Sequence, residues 1–138
     1  MVTTRRGFSS FSVDDLDAAR SFYADTLGLR VTTLDEGMGL VLHLGTSSPV
    51  FVYPKEDHTP AAFTVFHLAV DDVDPVVDDL VAKGVSLERY EGFDQDEKGI
   101  ARGFMEGGDG AWFTDPAGNV IGLMDGEGVR QLLDEVGG

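Results

Sequence analysis

His67 is the side chain in this sequence best suited to acid–base chemistry. It lies in Val65-Phe66-His67-Leu68-Ala69-Val70, an apolar run that reads as a strand. Alternation puts Val65, His67 and Ala69 on one face and Phe66, Leu68 and Val70 on the other. The second set suits packing under helices, so the imidazole is expected to face a cavity. There it would serve as a ligand-binding group or as a general base near neutral pH. A histidine hydrogen-bonded inside the fold, with no chemical duty, is the competing reading, and the residues alone leave both open. His43 sits among Leu40, Leu42 and Leu44 but alternates onto the face of Val41, which makes it a second candidate for ligand contact. His58 falls in a polar linker and is expected to be exposed. Three histidines with no carboxylate at partner spacing form no recognisable metal set.

Arg102 ends the charged stretch Asp94-Gln95-Asp96-Glu97-Lys98-Gly99-Ile100-Ala101-Arg102. Its planar fork would pair with a carboxylate or enolate on a ligand, and the acids would meet a cation. A solvated loop with local ion pairs is the plainer reading. Tyr53, Tyr90, Phe93, Phe104 and Trp112 fall at strand ends or beside that stretch. Flat rings stack on planar ligands as readily as they fill a core; Trp112 is the preferred ligand wall. No nucleophile–base–orienter set, phosphate-binding loop or dinucleotide fingerprint is present, and the glycines from Gly103 to Gly110 lack a strand-to-helix context.

These residues are positioned by a repeat. Val13-Asp14-Asp15-Leu16-Asp17 returns 57 positions on as Val70-Asp71-Asp72-Val73-Asp74, the mark of two copies of one supersecondary unit. In the first copy, residues 8–13 alternate as a strand, and Asp14 or Asp15 caps a helix. Leu16, Ala19, Phe22, Tyr23 and Leu27 form its apolar stripe, and Gly28 ends it. Strand-like runs follow at 29–33, 40–44 and 50–53. In the second, residues 63–70 form a strand, Asp74-Pro75 opens a helix carrying Val77, Leu80 and Val81, and Gly84 closes it. Residues 85–90 read as a strand, 91–110 as a long glycine- and acid-rich loop, and 111–114 and 120–124 as a hairpin around Asp115-Pro116-Ala117-Gly118-Asn119. By the 57-residue offset, Ser10 is the counterpart of His67, and it joins the ligand-binding candidates. The organisation is one domain: module one at 8–53, a linker at 54–62, module two at 63–124, and an amphipathic C-terminal helix at 127–136 bearing Val129, Leu132, Leu133 and Val136. The fold class is α+β.

Composition narrows the function classes. There is no cysteine, which excludes disulfides, thiolate chemistry and sulfur-ligated zinc. No apolar run approaches the roughly 20 residues that span a bilayer, and Arg5-Arg6 precede no apolar core of a signal peptide, so a cytoplasmic protein is expected. Twenty-five acidic residues against ten Lys and Arg give a net charge of −15. That charge repels nucleic acid and anionic membrane, so neither is an expected partner. It serves solubility or attracts a cationic ligand.

The sequence resembles the vicinal oxygen chelate superfamily, which holds glyoxalase I, bleomycin-resistance proteins and extradiol dioxygenases. The resemblance is carried by Val13-Asp14-Asp15-Leu16-Asp17, Ala19, Phe22-Tyr23, Leu27-Gly28-Leu29, the second Val-Asp-Asp-Val-Asp and Asp115-Pro116-Ala117-Gly118-Asn119, over about residues 8–124. It implies tandem βαβββ modules curling around a cavity, with the 94–102 stretch overhanging its mouth, and a homodimer. Many members hold a divalent metal through one side chain from the first and last strand of each module. Those positions fall here on Phe8, on Val65, within Val50-Phe51-Val52-Tyr53, and on Gly122. None is a donor for a hard or borderline cation, so no metal and no cofactor is expected. Three readings follow. The preferred one is a metal-free protein that binds a small aromatic or cationic organic molecule, as in drug sequestration, with Ser10, His43, Tyr53, Tyr90, Arg102 and Trp112 as ligand contacts. The second is a cofactor-free isomerase or cyclase with His67 as base. The third is a metal-dependent lyase or dioxygenase with displaced ligands.

Overall fold

The computed structural model describes residues 1–92, 94–105 and 107–137. They form two compact units, Met1–Pro60 and Ala61–Gly138, each a four-stranded sheet backed by helix.

Unit one contains β1 (Ser9–Val13), α1 (Leu16–Ser21), β2 (Arg30–Thr33), β3 (Leu40–His43) and β4 (Val50–Pro54). The sheet runs β1-β4-β3-β2, with β1 parallel to β4 and the other pairs antiparallel. Asp15 caps α1 by accepting the Ala18 N–H at 3.1 Å, which satisfies a donor the helix cannot. The helix then widens into a π-turn over Phe22–Thr26, closed by the Leu27 N–H on the Phe22 carbonyl at 3.0 Å, before Gly28 turns out with φ +72°. The wider turn aims Tyr23 into the core, where it is wholly buried and meets the rings of Phe11 and Phe22 edge-on. Phe11, Val13, Leu40, Leu42, Val50 and Val52 complete that core. Each large side chain so buried contributes about 1.5–3 kcal/mol.

Unit two contains β5 (Thr64–Ala69), α2 (Val73–Ala82), β6 (Ala101–Met105), β7 (Gly108–Thr114), β8 (Val120–Met124) and α3 (Glu127–Gly137), with sheet order β5-β8-β7-β6. Asp72 caps α2 through the Asp74 N–H, Pro75 occupies the first turn, and Gly84 follows the helix with φ +90°. Val73, Val77 and Leu80 pack with Phe66, Phe113, Ile121 and Leu123. Asp125, at the end of β8, fastens the helix to the sheet: one carboxylate oxygen accepts the Val73 N–H at 2.8 Å and the other the Asp109 N–H at 2.7 Å.

Two expectations fail between α2 and β7. Residues 85–90 do not form a strand; they make a single bridge, Leu87 to Phe113, and the Glu88 N–H bonds the Trp112 carbonyl at 2.7 Å. The reason is Gln95. Its amide accepts the Tyr90 N–H at 2.8 Å and donates to the carbonyls of Glu88 and Gly99, taking the backbone groups that a neighbouring strand would use. Residues 91–110, read as a loop, contain β6 and the start of β7. The β6–β7 register shifts between Ala101 and Met105, where Gly103 adopts φ +65°. That irregularity hides the strand's period in the sequence.

Candidate functional site

Cross-strand register assembles the site of unit two. His67 pairs with Gly122, and Gly122 pairs with Trp112, so the three lie side by side on the sheet face opposite Phe66, Ile121 and Phe113. The Trp112 indole is held between two ring edges: Tyr90 at 5.7 Å and 75°, and Phe104 at 5.1 Å and 84° between planes. Such edge-to-face geometry suits the ring quadrupoles. Around this group lies a recess of about 360 Å³, whose wall includes His67, Tyr90, Phe104 and Trp112 together with Phe63 and Met124.

Gly122 decides where the imidazole stands. A β-carbon at 122 would come within 2.5 Å of His67 Cδ2 and 3.1 Å of Nε2, closer than real contacts allow. The ring therefore occupies the volume that any other residue at 122 would fill. His67 makes no hydrogen bond to another described residue. Although its outer edge is exposed, the protein against its inner side disfavours the charged form and holds its pKa below the ordinary histidine value. The imidazole is therefore neutral at pH 7, with one nitrogen donating and the other accepting. Burial, and next the Glu88 carboxylate, pushes the Tyr90 phenol up, so Tyr90 remains a neutral hydroxyl.

Ser10, His43 and Tyr53 belong to unit one. Ser10 is exposed on β1, opposite Phe51. His43 Nε2 lies 2.8 Å from Thr32 Oγ1, and Tyr53 stacks on Phe51 at 5.8 Å and 28°. His58, expected to be exposed, is half-buried with Nδ1 at 2.6 Å from Ser12 Oγ. Phe93 lies outside the described residues.

Arg102 does not line the recess. Its guanidinium joins three carboxylates: Asp74 on α2 at 2.6 Å, Asp109 at 2.8 Å and Asp96 at 2.9 Å. Lys98 adds contacts to Asp74 and Asp78. The hydrogen bonds from Arg102 lower the Asp74 pKa to about 2. Arg102 itself rises further, chiefly through Asp74. The kink at Gly103 lets residues two apart do different work: Arg102 reaches α2, while Phe104 lies against Trp112. Sequence reasoning missed Gln95, which orders the backbone at Tyr90, because a lone amide in an acid-rich run carries no signal.

A metal at the superfamily's usual position does not fit these residues. Phe8, Val65 and Gly122 offer no donor, and the space beside Gly122 belongs to the imidazole. Among the described residues no cluster of three or more His, Asp or Glu is arranged to hold an ion.

Comparison with known proteins places the chain. No curated sequence matches it. Among solved structures it is similar to TnmS3, an antibiotic binding protein from Streptomyces sp. CB03234, at 24% identity and TM-score 0.66 over 92% of this chain and 99% of that one. It is similar to lactoylglutathione lyase from Agrobacterium tumefaciens at 20% identity and TM-score 0.62, over 90% and 95% of the two chains. A glyoxalase/bleomycin resistance protein from Streptomyces sp. CB03234 is 26% identical with TM-score 0.58, over 84% of this chain and 96% of that one. The sequence model of one family matches residues 7–123, running through both units. The chain belongs to the glyoxalase/bleomycin resistance protein/dioxygenase superfamily.

Proposed function

We propose that this protein binds a small organic molecule in the unit-two recess without a metal and without turning it over, as a sequestering or resistance protein would. The observation that carries this reading is the Tyr90–Trp112–Phe104 group beside the His67 imidazole, whose ring fills the space left by Gly122, a position where the resemblance puts a metal ligand. Aromatic walls with a few polar groups suit recognition of a small molecule. The likeness to an antibiotic binding protein supports the same reading. We infer a cytoplasmic homodimer as the working form. The test is elemental analysis and native mass spectrometry of protein purified without chelator. A metal-free dimer carrying an organic mass is the expected result; one divalent ion per chain would overturn the reading.

A cofactor-free enzyme with His67 as general base is the second reading. It is favoured by an imidazole with a depressed pKa and no hydrogen-bond partner among the described residues. It is weakened by the same fact, because a catalytic histidine is normally oriented by a hydrogen bond on its second nitrogen. Stoichiometric binding with no turnover favours the first reading, and a rate abolished by His67→Ala in a folded protein favours the second.

A further inference from the structure

The chain carries 25 acidic residues, yet none of the described residues that line the recess is charged. The polar side-chain groups there belong to Thr64, His67, Tyr90 and Trp112, and of these only His67 and Tyr90 titrate. A cationic ligand would lose hydration on entry and find ring faces but no carboxylate among the described lining residues, and cation–π contact replaces only part of what a paired charge gives. An anion would find no guanidinium, because Arg102 is taken up by Asp74, Asp96 and Asp109. Burying an unpaired charge costs far more than burying a neutral polar group that finds a partner. His67 supplies that partner, with no competing hydrogen bond from another described residue. Its place is set by the missing side chain at 122, since a β-carbon there would stand 2.5 Å from the ring.

We propose that the recess selects an uncharged, flat molecule with one hydrogen-bonding group, and that Gly122 sets this selectivity by leaving the space in which the His67 imidazole stands. The inference rests on the binding role proposed above and specifies the chemistry of its ligand. His67 is the contacting residue; Gly122 is a positioning residue that acts through it. The acidic surface then has no part in holding the ligand, and affinity is independent of ionic strength.

The chain's single tryptophan makes the test direct, because Trp112 alone contributes an indole N–H signal to a proton–nitrogen spectrum. Four matched probes are titrated: 2-naphthalenemethanol, 2-naphthylmethylammonium, 2-naphthoate and naphthalene. The expected result is that the alcohol shifts the indole signal with an affinity about tenfold above that of naphthalene, the worth of one hydrogen bond, and above both ions. That affinity should be unchanged by added sodium chloride. Tightest binding by the ammonium ion, weakened by salt, would overturn the inference while leaving the recess as a binding site. No response of the indole to any probe would remove the binding role as well. Gly122→Ala separates positioning from mere structure. The variant should lose the alcohol's tenfold preference over naphthalene and show His67 titrating closer to an ordinary histidine. A preserved preference in the folded variant would sink the role assigned to Gly122.

Discussion

The Asp115 carboxylate is almost wholly buried and accepts hydrogen bonds from the turn that follows it. One oxygen takes the backbone N–H groups of Ala117 and Asn119, each at 2.9 Å, and the other takes the Asn119 side-chain amide at 3.0 Å. Gly118, with φ +86°, completes the turn between β7 and β8. Asp115→Ala would strand these donors, the two of Asn119 buried and that of Ala117 half-buried. Leaving a buried donor unpaired costs about 1–3 kcal/mol, so the variant should lose about 2–4 kcal/mol in urea unfolding, with Asp115→Asn retaining part of it. A loss below about 1 kcal/mol would show that water replaces the carboxylate. His67 gives a second prediction at this scale. Its folded-state pKa is depressed, so between that value and about 6.5 the unfolded chain binds more protons than the folded one. Stability contributed by this group is complete above about pH 6.5 and falls as pH drops through the folded pKa. Unfolding of the parent and of His67→Gln should therefore diverge below pH 6.5 and run parallel above it; parallel curves throughout would show that the imidazole is not shielded.

At the scale of elements, the ion-pair hub around Arg102 ties α2, the 94–100 segment and the β6–β7 hairpin together. Asp96 serves it twice over, since it also accepts the backbone N–H groups of Lys98 and Ile100. Exposed ion pairs are individually weak, but this one engages a single guanidinium on three elements of the fold. Because the Asp74 pKa is lowered to about 2, the stability that this carboxylate contributes through the hub is complete above about pH 4 and is lost as pH falls from there through about 2. Arg102→Met should speed amide exchange in residues 94–103 at neutral pH and leave exchange in β8 unchanged; equal protection in both proteins would reduce the hub to surface decoration. The same elements show what the sequence disclosed. The capped helices, the glycines that end them and the Asp115–Asn119 hairpin were legible because each rests on a local hydrogen bond or a local backbone need. The β6 strand and the fate of residues 85–90 were not, because they depend on partners supplied at a distance. Gln95 satisfies three backbone groups across four to seven residues, and a register shift at Gly103 erases the alternation that would have marked a strand. Arg102 stayed open between a ligand-binding cation and an ion pair for the same reason. Nothing in its own neighbourhood shows that Asp74, 28 positions earlier, holds it.

For the whole molecule the question is what a net charge of −15 does. Two terms oppose each other. Paired acids in the Arg102 hub gain from low salt, and unpaired acids elsewhere repel one another most strongly at low salt. The hub gathers four carboxylates, Asp74, Asp78, Asp96 and Asp109, around only two cations, Lys98 and Arg102, so even the best-paired cluster carries surplus negative charge. Repulsion should therefore win. Raising sodium chloride from about 10 mM to about 0.5 M shortens the screening length from about 30 Å to about 4 Å. That removes repulsion between distant acids while sparing contacts below 3 Å. The melting temperature should rise by about 3 °C or more, equivalent to about 1 kcal/mol in a chain of this size. A falling melting temperature would mean that the ion pairs outweigh the repulsion. If the temperature rises while the affinity of an uncharged ligand stays constant, the acidic surface and the recess are separate devices: one sets how the folded chain responds to its ionic surroundings, and the other sets what it binds.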